Sequence, residues 1–186
     1  MPMSTVAGMV IATMMGTAMQ AEAFPRSFDA AVAHSRVMNT GYVADASKRY
    51  LALPPESRNL LASHLDELAG LPATADGIHS ALQLLSRQIA TFPLGNQPPE
   101  GSGRTAGQQA MHSAGMCLIH GRVAQVADGA KGSMAQASAL VRTIRSEQTV
   151  SDRDRGLLLR ELEQSFGREL YAKASKEAST TKGSKQ

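Results

Sequence analysis

The sequence predicts an all-α protein, a bundle of helical hairpins, and three observations predict it. The first is the make-up of the core. Of 186 residues 42% are apolar but only 4% aromatic, with no tryptophan. Strands lean on aromatic and β-branched side chains, so a Leu, Ala, Met, Val and Ile core favours packed helices. The second is apolar spacing at threes and fours, the period of a helix with one buried face. The third is punctuation: helix caps and stops stand at the ends of those stripes.

The clearest element is "PPESRNLLASHLDELAGLP". Proline suits a first helical turn, whose amides lack intrahelical acceptors anyway. Leu61, Leu65 and Leu68 then repeat on one face beside Leu60, and Gly70 is placed for a left-handed cap, so a helix is expected over 55–69. In "TADGIHSALQLLSRQIATFP", Ile78, Leu82, Leu85 and Ile89 make the next stripe, capped by Thr74 and ended by Pro93. The two form a helical hairpin. Upstream, a helix is expected from Ser27 to about Asn39 on Phe28, Ala31, Val32 and Val37, with a break at Gly41 and a short helix to Leu53. Together these make a first helical region, 27–92.

The Gly- and Pro-rich stretch "FPLGNQPPEGSGRTAG" reads as a linker, placed at 93–107. A second helical region follows over 108–173. "SMAQASALVRTIRSEQ" supplies Met134, Leu140, Val141 and Ile144. "SDRDRGLLLRELEQSFGREL" has Ser151 as cap, aspartates in its first turn and a stripe of Leu159, Leu162, Phe166 and Leu170. Residues 174–186 have little to bury and are expected to form a disordered basic tail. The stretch 116–127 is ambiguous. It alternates like a strand, yet its alanines and helical flanks favour helix.

Residues 1–23, "MPMSTVAGMVIATMMGTAMQAEA", carry Ser4, Gly8, Ala12 and Gly16 every four residues, a smooth ridge on a helix where a neighbour packs closely. The same run has the length of a signal-peptide apolar region, with "AEA" offering a cut ahead of Phe24, but no Lys or Arg precedes residue 26. About 14 apolar residues fall short of the roughly 20 that cross a membrane. The segment is read as a packing helix or an export signal, so both exported and cytoplasmic locations stay open. Any membrane contact is expected to run through it.

Residues 1–100 hold six Lys/Arg against eight Asp/Glu, and residues 101–186 hold thirteen against eight. The basic half is far from the concentrated charge of a nucleic-acid binder. Arg142, Arg145, Arg153 and Arg155 form its candidate basic patch, but carboxylates lie among them and no aromatics interleave. The loop "GSGRTAG" lacks the preceding strand and following Lys of a phosphate cradle. The single Cys117 excludes an internal disulfide.

The most chemical-looking cluster is His112, Cys117 and His120, with Met116 between them. On a helix His112 and His120 are about 12 Å apart along the axis. That is too far to share an ion at bonds of about 2 Å. Cys117 and His120 lack the orienting third group and oxyanion donors of a nucleophilic site. A buried cysteine with half-exposed histidines is the simpler expectation. No cofactor, metal or catalytic residue is assigned. The expected function is therefore non-enzymatic, a protein of bacterial-looking composition that binds a protein partner or itself through helix faces. The alternatives are a secreted hydrolase or toxin-like enzyme centred on His112–His120, and a weak nucleic-acid binder using the arginine-bordered helices.

Overall fold

The computed structural model describes residues 24–93 and 103–180. The described residues are all-helical, without a strand. They form α1 (Arg26–Val32), α2 (Thr40–Leu51), α3 (Pro55–Ala69), α4 (Ala75–Thr91), α5 (Ala106–Ala130), α6 (Met134–Ser146), α7 (Asp152–Phe166) and α8 (Arg168–Thr180). The ridge Ser4, Gly8, Ala12 and Gly16, with the signal-peptide reading, lies outside the described residues, as do residues 94–102 of the linker and 181–186 of the tail.

The organising element is α5, and it contains the stretch that was ambiguous between helix and strand. Thr105 starts it with a capping box: its hydroxyl accepts from the Gln108 amide, and the Gln108 side chain accepts from the Thr105 amide. From Ala110 to Ala130 most residues are buried, the exceptions being His112, Ser113, Arg122, Gln125, Asp128 and Gly129. A helix buried over most of its circumference belongs in the middle of a bundle. Accordingly α5 packs against α1, α2, α3, α4, α6 and α7, so one core joins the regions on either side of the linker. Glycines let the neighbours in. A Cβ at Gly115 would run into Leu85 of α4, and one at Gly121 would overlap the Ala31 carbonyl of α1.

The leucine stripes are where the spacing puts them. Leu61, Leu65 and Leu68 of α3 and Ile78, Leu82 and Leu85 of α4 are buried. Thr74 accepts from the Gly77 amide, and Ser151 from the Asp154 amide. Four local expectations are corrected. The first helix stops at Val32, and Gly41 lies inside α2, whose cap is Asn39 accepting from the Gly41 and Tyr42 amides. Gly70 caps α3 in the right-handed conformation, φ −75°. The last stripe is interrupted at Gly167, whose φ of 80° is open to glycine and separates α7 from α8. Finally, residues 174–180 are not a loose tail. They continue α8 and bury Ala174 and Ala178, with α6 and α7 as the neighbours of α8.

Candidate functional site

Between α2, α5 and α7 lies an open cleft of about 310 Å³. Each helix lines it with residues at helical spacing: Tyr42, Asp45 and Arg49 from α2, Gln109, His112, Ser113, Met116 and Cys117 from α5, and Arg153, Asp154 and Leu157 from α7. Met38 and Arg104, just ahead of α2 and α5, close the rim.

The polar groups of the walls are tied together. Arg49 donates to Asp45 (2.8 Å) and to the Gln109 side-chain Oε1 (2.8 Å). His112 Nε2 donates to Asp154 Oδ2 at 2.9 Å, joining α5 to α7. Burial pushes the Asp154 carboxyl up, but the hydrogen bond and charge of His112, the Ser151 hydroxyl and the charge of Arg104 hold it below its ordinary range.

The histidines and cysteine of the sequence cluster do not converge. Cys117 lines the cleft but is only 3% exposed. Burial, and secondarily the charge of Asp45, pushes its thiol up to about 12, so it stays protonated near neutral pH. His120 is fully buried, not half-exposed, and turns away from the cleft to bond Glu161 Oε2 at 3.0 Å. Ellman's reagent at pH 8 is accordingly expected to leave the folded chain unlabelled and to titrate one thiol after unfolding. Rapid labelling of the native protein would mean an accessible thiolate and reverse this assignment.

Glu161, on α7, is held by four hydrogen bonds. Its Oε1 accepts from the Arg36 amide (2.6 Å), and its Oε2 from the Ser35 hydroxyl (2.7 Å), the Val37 amide (3.2 Å) and His120. Burial raises its carboxyl, but these bonds outweigh it and the net displacement is downward. The network pins the connection between α1 and α2 onto α5 and α7. Arg36 extends it through Ser165 and Asp128. A second buried carboxylate, Glu147, holds the α6–α7 turn to α4 by accepting from His79, Gln83 and Thr149. These are structural bonds, and sequence reasoning missed them because the partners are far apart in the chain.

The four arginines of the candidate patch sit in different surroundings. Arg153 faces the cleft, Arg145 reaches the Ser175 carbonyl and the Ser179 hydroxyl of α8, and Arg155 is bonded to Asp152 and the Glu147 carbonyl. Arg142 is exposed on α6. Sequence reasoning also passed over Arg49, Asp45 and Tyr42, although their spacing of three and four already puts them on one flank of α2. Among the described residues no group of three His, Cys, Asp or Glu is arranged to hold a metal ion, and no helix is long and apolar enough to cross a membrane. Comparison of the chain with known protein families, curated proteins and solved structures finds no match.

Proposed function

We propose that this chain is a non-enzymatic helical interaction protein that holds a protein partner, or a second copy of itself, through a helix face. The observation that carries the reading is the position of α2. It packs closely against α5 alone among the described helices, and it bears Leu51 at 56% exposure, about 180° around the helix from the other exposed large apolar side chain, Tyr42 at 42%, which edges the cleft. Exposed apolar groups on an outer helix are what partner-binding surfaces offer. The chemical groups support the same reading, since the thiol is held protonated and the buried carboxylates are consumed by bonds that hold helices together.

A photo-crosslinking residue at position 51, in cells making the full chain, is expected to give one discrete adduct. An adduct of twice the chain mass identifies a second copy. The same residue at the exposed position 169 of α8 is expected to give none. Absence of an adduct at 51, or equal crosslinking at 169, would overturn the proposal.

A hydrolase reading draws on one specific feature, the His112–Asp154 pair at the open cleft. It requires ester or peptide hydrolysis that is lost in His112→Ala. Exported and cytoplasmic locations both stay open, and intact-mass measurement of secreted and cell-retained protein decides between them: a species beginning at Phe24 marks a cleaved export signal, and a full-length cell-retained species a packing helix.

A further inference from the structure

We propose that α2 is a strap that lifts from α5 as a unit while the rest of the bundle stays folded, with Glu161 as its latch and Cys117 as the group it covers. The inference does not depend on a partner at Leu51.

The strap is thinly anchored. Of the twelve residues of α2, Ala46 and Tyr50 are buried. The thirteen of α6 bury five, Ala137, Ser138, Leu140, Val141 and Ile144. Helix α8 buries as few as α2 but lies against both α6 and α7, whereas α2 packs closely against α5 alone among the described helices. Elements with little buried apolar surface open at a free energy well below that of global unfolding. Tyr50 stands in the last turn, its ring 4.7 Å from that of Phe24, and this end is the hinge. Ahead of it the buried residue is Ala46, and Arg49 ties the helix to α5 through Gln109 Oε1.

The opposite end is held from outside the helix. Ser35, Arg36 and Val37 bond to Glu161 of α7, and the Ser35 hydroxyl also accepts from the Met38 amide just ahead of α2. Bonds that converge on one carboxylate support one another. Once they break, the turn at 33–39 can extend up to about 23 Å. That exceeds the roughly 8–10 Å between packed helix axes, so α2 can clear α5 while α1 keeps its place.

Cys117 lies beneath, 3% exposed, in a wall shared with Tyr42, Asp45 and Arg49 of α2. Burial first, and the charge of Asp45 second, hold its thiol up at about 12. Lifting α2 reverses both, because water enters and Asp45 departs with the helix. The strap keeps an ordinary thiol inert, and opening makes it reactive.

Slow modification by excess Ellman's reagent at pH 8 tests the motion in the full chain. When closing is fast, the rate follows the population of the open state. Ser35→Ala, which loses a hydrogen bond to a charged group, is expected to label about tenfold faster than the parent. Low urea should leave that rate nearly unchanged, since lifting one helix exposes little surface. Gly129→Ala adds helix propensity where a Cβ meets nothing within 4 Å, and by stabilising the whole fold it should not slow a local opening. Hydrogen exchange of the unmodified chain reads the same event without a variant: α2 amides are expected to exchange about tenfold or more faster than those at the centre of α5. The proposal is overturned if Ser35→Ala labels no faster, if labelling climbs with urea as steeply as global unfolding, if Gly129→Ala slows it, or if α2 amides are as protected as those of α5.

Discussion

Gly121→Ala is expected to destabilise the protein by about 3 kcal/mol, the upper end of the usual cost of overpacking a core. On helix propensity alone the change should stabilise by about 1 kcal/mol, so the sign of the result separates packing from propensity. The new methyl would overlap the carbonyl group of Ala31 and crowd the Val32 amide, which are backbone and have no rotamer to escape into. Nor can α1 retreat freely, because the turn that follows it is fastened to Glu161 by two amides and a hydroxyl. Gly129→Ala is the matched control on the same helix. Its Cβ would meet nothing within 4 Å, and a gain of about 0.5–1 kcal/mol is expected. Urea unfolding of both variants checks the pair. A stable Gly121→Ala would mean that α1 does not approach α5 as described.

Glu161→Ala should cost about 3 kcal/mol or more, since each buried donor left without an acceptor costs about 1–3 kcal/mol. The Arg36 and Val37 amides, the Ser35 hydroxyl and the His120 ring would all lose an acceptor in a region closed to water. The same group contributes to acid sensitivity, with Glu147 and Asp154 beside it. All three carboxyls are held below their ordinary values of 4.5, 4.5 and 3.8. A depressed carboxyl binds fewer protons in the folded state than in the unfolded one. Its contribution is therefore present above the ordinary value and lost as pH falls through the folded value. Stability is expected to be flat in these groups above about pH 5 and to fall below it, with a shallower fall in the Glu161 variant. An identical acid limb in variant and parent would show that Glu161 does not carry it.

Much of the fold was legible because it rests on local rules. The stripes Leu61–Leu65–Leu68 and Ile78–Leu82–Leu85, and the caps Thr74 and Ser151, each involve residues within one or two turns of one another. The first helix was read seven residues too long for the opposite reason. The turn at 33–39 is stabilised by a carboxylate more than 120 residues downstream, and no local feature announces it. Residues 174–180 were read as loose because Ala174 and Ala178 make too weak an apolar stripe alone. Burial of those two small side chains, with α6 and α7 as neighbours, is enough to continue the helix.

The candidate site was less legible. His112 and Cys117 both line the cleft, whereas their grouping with His120 was a product of sequence proximity. On the central helix a step of three residues is enough to turn His120 toward α7's Glu161 and out of the cleft. The partners that give His112 its setting, Asp154, Arg104 and Arg49, come from three separate segments.

The sequence by itself determined that this protein is helical, where several helices begin and end, and which leucine faces are buried, because periodicity and capping act over a few residues. Only the tertiary structure decided that α5 packs against six other helices, that Glu161 fastens the α1–α2 turn, and that three arginines share one cleft with Asp154. Those outcomes depend on which helix lies against which, and that is set by close contacts such as Gly121 on Ala31 between residues distant in the chain.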